Sequence, residues 1–192
     1  KMSVKIKNIK KSFSSGFVLN GIDLTLEDDT IYCLMGPSGI GKTTLLLIIT
    51  GLEKQDSGVI KGLEKDDISV MFQEDRLLEW MDAVDNVAIV RKEEKNKDAR
   101  KRTEENLKLI LPEDCLHQPV SQLSGGMKRR VALARAMNFP SKLIILDEPF
   151  TGLDADNRSA AQLCVARAAR EKIVLLVSHE DDALTGAEVR LQ

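Results

Sequence analysis

Gly36-Pro37-Ser38-Gly39-Ile40-Gly41-Lys42-Thr43 is a GxxxxGK[ST] run, a spacing suited to wrapping backbone around phosphate. Glycines there let N–H groups turn inward around phosphate oxygens that a side chain would obstruct. The Lys42 ammonium can reach β- and γ-phosphates, the Thr43 hydroxyl can hold Mg²⁺, and Thr44 follows beside them. A second set, Leu143-Ile144-Ile145-Leu146-Asp147-Glu148, carries two carboxylates on the end of four aliphatics. Alone, such a pair is as often a turn or a helix cap. Beside a phosphate loop, Asp147 is placed to hold the Mg²⁺ shell. Glu148 is then the natural group to orient and deprotonate an attacking water. Gln73 follows the alternating Ile68, Val70 and Phe72, and His179 follows Ile173–Val177 and Ser178. Taken singly, each of these two polar residues would be a surface or capping residue.

Leu123-Ser124-Gly125-Gly126-Met127 opens a helical stretch, Lys128–Met137, rich in Arg, Ala and Leu. Ser124 can cap it, and Gly125 and Gly126 leave N–H groups bare. Lys128, Arg129 and Arg130 in its first turns complete a second anion-binding helix terminus. A capped helix after a glycine turn would explain the Ser-Gly-Gly run alone. The chain, however, carries one phosphate loop and two termini built for phosphate. The second terminus would then meet the nucleotide of a partner copy, and a two-fold dimer would satisfy both copies at once.

These residues need elements that aim them together. Ile31–Met35 is a short apolar run ending in the glycine-rich loop, followed by the apolar helical stretch Thr43–Leu52. That is strand, loop, helix, the opening of a parallel α/β unit. Residues 68–72, 143–146 and 173–177 read as further strands. All four candidate sites, at 36–43, 73, 147–148 and 179, therefore lie just past strand C-terminal ends, the edge where open parallel sheets bind ligands. Ahead of them, Val4 and Ile6, then Ile22, Leu24 and Leu26, alternate with polar residues as strands of an antiparallel layer. Residues 74–129 lack strand signal. They read as a mostly helical insertion, with Thr103, Leu107, Ile110 and Leu111 at helical spacing and the charge-dense run 91–105 as a solvated face.

The bulk composition narrows the function classes. The chain has 192 residues, enough for one well-buried domain. Its 28 basic residues against 30 acidic ones give no basic footprint for nucleic acid. Cys33, Cys115 and Cys164 are scattered without ligand spacing, as reduced cytosolic thiols are. No signal peptide is evident, and Lys1 ahead of Met2 reads as an addition before the natural start. The longest apolar runs fall short of the roughly 20 residues that a membrane helix needs. If the protein works at a membrane, another chain must cross it.

Over essentially its whole length the chain resembles an ABC transporter ATP-binding subunit. The resemblance rests on the phosphate loop at 36–43, Gln73, LSGGM at 123–127, LIILDEP at 143–149, TGLD at 151–154 and His179. It implies an α/β fold: a P-loop NTPase core (1–73 and 130–192), an N-terminal antiparallel β layer and an inserted helical subdomain (74–129). It also implies that Gly39, Gly41 and Lys42 hold phosphates, that Thr43, Gln73 and Asp147 serve Mg²⁺, and that Phe13 stacks on adenine. Glu148 would be the general base, His179 would contact the γ-phosphate, Ser124 and Gly126 would complete the partner's ATP site, and Asp154 would align the halves. The implied partners are a second ATPase subunit, membrane permease subunits and an extracytoplasmic solute-binding protein. The implied place is the cytoplasmic face of the membrane, with no nucleic acid and no regulatory domain after His179.

A narrower resemblance lies in Phe72-Gln73-Glu74-Asp75-Arg76-Leu77-Leu78-Glu79-Trp80, which looks like the importer branch for nitrate, sulfonate, taurine and similar solutes. Glu79 stands where that branch commonly has proline, and Ile40 where the loop usually has a small residue. This segment would dock a permease helix, or else simply pack Leu77, Leu78 and Trp80. A soluble ABC ATPase of translation or DNA repair would instead carry tandem domains or long coiled-coil insertions, which are not seen. A low-turnover nucleotide switch is at odds with an intact Glu148 and His179, and a small-molecule kinase leaves LSGGM without purpose.

Overall fold

The structure, a computed structural model, describes residues 3–14, 16–91, 97–178 and 187–191. Its first half runs β1 (Ser3–Phe13), β2 (Gly16–Glu27), β3 (Ile31–Met35), α1 (Lys42–Ile49), β4 (Ser57–Lys61) and β5 (Ile68–Met71). The second half adds α2 (Ala83–Ala88), α3 (Lys97–Leu107), α4 (Gly125–Asn138), β6 (Leu143–Asp147), α5 (Ala155–Ala168), β7 (Ile173–Val177) and β8 (Ala187–Arg190).

The alternating segments and the continuous apolar segments build different sheets. The antiparallel one has the order β2-β1-β4, and the parallel one β5-β6-β7-β3-β8. Every residue of β3 and β7 is buried, because the parallel sheet is covered on both faces. Leu143, Ile145, Ile173 and Leu175 point to one side, where they meet α1 and the antiparallel layer through Val4, Ile6, Leu19 and Leu45. Ile144, Leu146, Val174 and Leu176 point to the other, against Leu133 of α4 and Val165 of α5. A third cluster holds α2, α3 and part of α4 together through Val84, Leu107, Leu116 and Val131. Thr103 and Leu107 are buried there, as their spacing predicts.

Three details depart from the alternation and the run lengths. Ile6 and Ile9 are both buried although they differ in parity. A bulge lies between them, with Asn8 at φ 50, a left-handed geometry that Asn tolerates. Gly58 of β4 packs over this bulge, where a Cβ would fall 2.4 Å from the Asn8 carbonyl oxygen. β4 itself is invisible in the sequence alternation, since its two apolar residues, Val59 and Ile60, are adjacent in a strand of only five residues, although its burial does alternate. α1 stops at Ile49 rather than reaching Leu52. Gly51, at φ 72, ends it in a left-handed turn that leaves Leu52 exposed.

α4 crosses from the helical cluster to the sheet. Val131 and Ala134 face the first, and Ala132, Leu133 and Ala136 the second. Among the described residues, no helix is long and apolar enough to cross a membrane.

Candidate functional site: a phosphate-loop cleft

The register of the parallel sheet brings the chemistry together. Met71 pairs with Leu146, Asp147 with Val177, and Val177 with Leu34, so the four strand ends are level within about one residue. Their following segments line one cleft of about 480 Å³, formed by Val18, Ser38, Gly39, Gly41, Lys42, Thr43, Thr44, Gln73, Asp147, Glu148, Val177 and Ser178. The loop, Gln73 and the carboxylate pair thus meet. His179 lies outside the described residues, although its neighbour Ser178 lines the cleft.

The loop is shaped by its glycines. Gly36, Gly39 and Gly41 all have positive φ (150, 82 and 105). At Gly41 a Cβ would sit 2.8 Å from Leu19 Cδ2 and 3.0 Å from the Val18 carbonyl oxygen. The loop therefore lies tight on β2, and only glycine fits there. Gly41 also begins α1 without a side-chain cap, and the first turn carries no acid, so its N–H groups face the cleft ready for an anion. Lys42 Nζ donates to the carbonyls of Gly36 and Pro37; an arriving phosphate would offer it charged acceptors in their place. Ile40 packs against the core cluster rather than lining the cleft, so its bulk leaves the cradle open.

Asp147 is partly buried at the end of β6. Burial pushes its carboxyl above the usual range and neighbouring Glu148 pushes the same way, while Arg129 and Lys42 pull it back. Glu148 sits at φ 49, held by its N–H, which donates to the Val177 carbonyl at 2.8 Å. Its carboxylate accepts from Thr151 Oγ1 at 3.5 Å. Glu148 is thereby aimed from a strained turn into the cleft. Thr43, Gln73 and Asp147 offer hard oxygen donors in one place. No group of three or more His, Cys, Asp or Glu that could hold a metal occurs among the described residues. Such a sparse oxygen set suits Mg²⁺, which shares its shell with phosphate and water.

The remaining site residues lie elsewhere. Phe13, 46% exposed, closes the β1–β2 hairpin opposite Gly16, with Lys11 Nζ 5.0 Å from its ring centre. It does not line the cleft, although Val18 of the same hairpin does. Ser124 caps α4 by accepting from the Met127 N–H at 3.3 Å. Ser124 and Gly125 are exposed, and Gly126 lies close to Leu153 and Gly152. Asp154 is exposed and caps α5 through the Asn157 N–H at 2.9 Å. Hydrogen bonds from Asn157 hold its carboxyl below the usual range.

The basic residues after Gly126 do something other than receive an anion. Arg129 and Arg130 are buried, and Lys128 pairs with Glu79 at 3.2 Å. Arg130 donates to Gly126 O, Ile110 O and Asn157 Oδ1, which joins the glycine turn to the α5 cap. The second terminus is therefore built from N–H groups alone. Asn86 is a residue the sequence reading missed. It is wholly buried and bonds Leu78 through both N–H and carbonyl, as well as the carbonyls of Met81 and Asp82. It fixes the backbone around Trp80, which is 75% exposed rather than packed.

A phosphate loop, a glutamine and a carboxylate pair on the C-terminal edge of a parallel sheet define a phosphate-loop nucleotide-binding protein. The chain belongs to the ABC transporter family, whose family model matches residues 19–151. It is 40% identical over 172 residues to the sulfate/thiosulfate import ATP-binding protein CysA of Methylococcus capsulatus, covering 82% of this chain and 49% of that protein. It is 41% identical over 172 residues to the aliphatic sulfonates import ATP-binding protein SsuB 1 of Rhodococcus jostii, covering 85% and 67%. The Fe(3+) ions import ATP-binding protein FbpC of Vibrio cholerae is 39% identical over 166 residues, covering 81% and 47%. The chain thus spans about half the length of several curated relatives it matches. Among solved structures, the ATP-binding cassette MJ0796, a dimer bound to ADP and Pi, superposes with a TM-score of 0.84 at 28% identity, covering 98% of this chain and 94% of that one. The fold is that of the ABC ATPases.

Proposed function

We propose that this chain hydrolyses ATP and couples that hydrolysis to import of a small solute through a separate membrane permease. The observation that carries the reading is the division of its phosphate-binding parts. One cleft gathers the loop, Gln73, Asp147 and Glu148, while Ser124 and Gly125 stand exposed outside it, with Gly126 partly covered beside them. A second copy related by a two-fold axis would bring Ser124 and Gly126 to the first copy's nucleotide, with Asp154 aligning the halves.

In the cleft, the loop N–H groups and Lys42 bind the phosphates, while Phe13, on the hairpin beside the cleft rather than in its lining, would offer an aromatic face to adenine. Thr43, Gln73 and Asp147 would hold Mg²⁺, which supplies charge neutralisation between phosphate oxygens. Glu148 accepts a proton from water aligned on the γ-phosphate, and the resemblance would have His179 contact that phosphate. The helical unit, 74–129, would turn against the core, 1–73 and 130–192, as the dimer closes. Trp80 and its neighbours would pass that turn to the permease at the cytoplasmic face of the membrane. A solute-binding protein on the far side would deliver the solute. The relatives named as import ATP-binding proteins support the direction of transport.

Glu148→Gln is the test. Turnover should fall by about a hundredfold or more, the usual weight of a general base, while ATP affinity measured by titration calorimetry stays within a few-fold. Turnover at the wild-type rate would remove Glu148 from its role.

A further inference from the structure

Arg129 lies one turn into α4, with its side chain only 8% exposed. One terminal nitrogen, Nη1, donates to the carbonyls of Phe72 at 3.1 Å and Gln73 at 2.8 Å, and meets Asp75 Oδ1 at 2.8 Å. The other, Nη2, donates to the carbonyls of Asp147 and Glu148, each at 2.7 Å. A single guanidinium therefore spans the Gln73 segment and the turn that aims Glu148. The planar fork makes this possible, since its two nitrogens can serve two loops at once, which a lysine ammonium on its flexible stem cannot do with the same geometry. Arg135 adds bonds to the carbonyls of Asp75 and Arg76, but among the α4 cations only Arg129 also reaches Asp147 and Glu148.

We propose that Arg129 is a positioning residue for hydrolysis, transmitting the placement of the Ser124–Gly126 helix to both Gln73 and Glu148. The proposal rests on the ATPase reading above. Glu148 has φ 49, a conformation that costs free energy outside glycine, and the bonds to its own carbonyl and to that of Asp147 hold the turn. α4 begins at the exposed glycine turn. A partner nucleotide docking there would shift α4, and Arg129 would carry that shift to the two groups that act on water and cation. A buried arginine with a merely structural role would stabilise the fold without separating binding from turnover.

The experiment compares wild-type chain with Arg129→Gln, Arg129→Lys and Asp75→Asn. It measures steady-state ATP hydrolysis, affinity for a fluorescent ATP analogue, and amide hydrogen exchange. Turnover should fall tenfold or more in both Arg129 variants, with nucleotide affinity within twofold, because no loop N–H is touched. Exchange should quicken at residues 73–75 and 148–151 and stay unchanged at 45–49. Asp75→Asn, which leaves the guanidinium in place, should show a smaller change of the same kind and remains informative if an Arg129 variant fails to fold. Wild-type turnover in these variants, or parallel loss of affinity and turnover, would overturn the proposal. Unchanged exchange at both segments would overturn it too, and this readout needs no turnover. Loss of turnover in Glu148→Gln is the separate control on the ATPase reading.

Discussion

At the residue scale, Lys42 and Asp147 pull on the cleft in opposite senses. Lys42 already lies against two loop carbonyls, so its removal should leave the loop folded but strip a charged contact from phosphate. Such contacts contribute roughly 1.5–3 kcal/mol. Lys42→Ala should therefore weaken ATP binding by roughly tenfold to a hundredfold in titration calorimetry. Asp147 behaves differently because burial and Glu148 raise its pKa in the folded state. A raised folded pKa means that the bound proton stabilises the fold below the usual carboxylate range. That contribution is lost as pH rises through the folded pKa, leaving the ionised Asp147 as a cost at neutral pH. Asp147→Asn should accordingly raise the melting temperature of the nucleotide-free chain at neutral pH while abolishing Mg²⁺-dependent hydrolysis. A lower melting temperature would mean that the carboxylate stabilises the fold through Arg129 more than burial penalises it.

At the element scale, the pieces that hold the cleft were legible to different degrees. The loop, β3, β6 and β7 stood out because a sheet buried on both faces demands unbroken aliphatic runs. β4 did not, because an edge strand with one half-buried face leaves too little pattern in five residues. The segment 78–82 owes its shape to Asn86, whose amide answers four backbone groups from a fully buried position. Replacing it by Ala orphans buried donors and acceptors, at about 1–3 kcal/mol. Asn86→Ala should lower the urea midpoint accordingly. ATP affinity should hold, since Asn86 is not part of the cleft lining.

At the scale of the whole molecule, the proposed dimer needs the Ser124–Gly126 turn of one copy to meet the cleft of the other. The Glu148→Gln chain should therefore pass from monomer to dimer on adding Mg-ATP, read as solution mass by light scattering. Ser124→Arg in that background should return it to monomer, because a long cation at the α4 cap would obstruct the partner's nucleotide. Dimerisation unaffected by Ser124→Arg would place the interface elsewhere. Relatives at 39–41% identity carry names for sulfate/thiosulfate, Fe(3+) and aliphatic sulfonates. Closeness in this chain therefore does not track solute, which agrees with the proposed role of driving transport through a separate permease.

By itself the sequence determined the loop, the carboxylate pair, Gln73 and the order of strands that would carry them. Those features are local, depending on glycine conformation, side-chain type and the period of burial, which a short window of residues contains. Only the tertiary structure decided that the four strand ends are level, because register is set by pairing between segments about thirty to a hundred and forty residues apart. It also reassigned Arg129 and Arg130 from an anion site to internal ties. A basic residue after a glycine turn looks the same in sequence whether it faces solvent or the carbonyls of two distant loops, and only packing tells these apart.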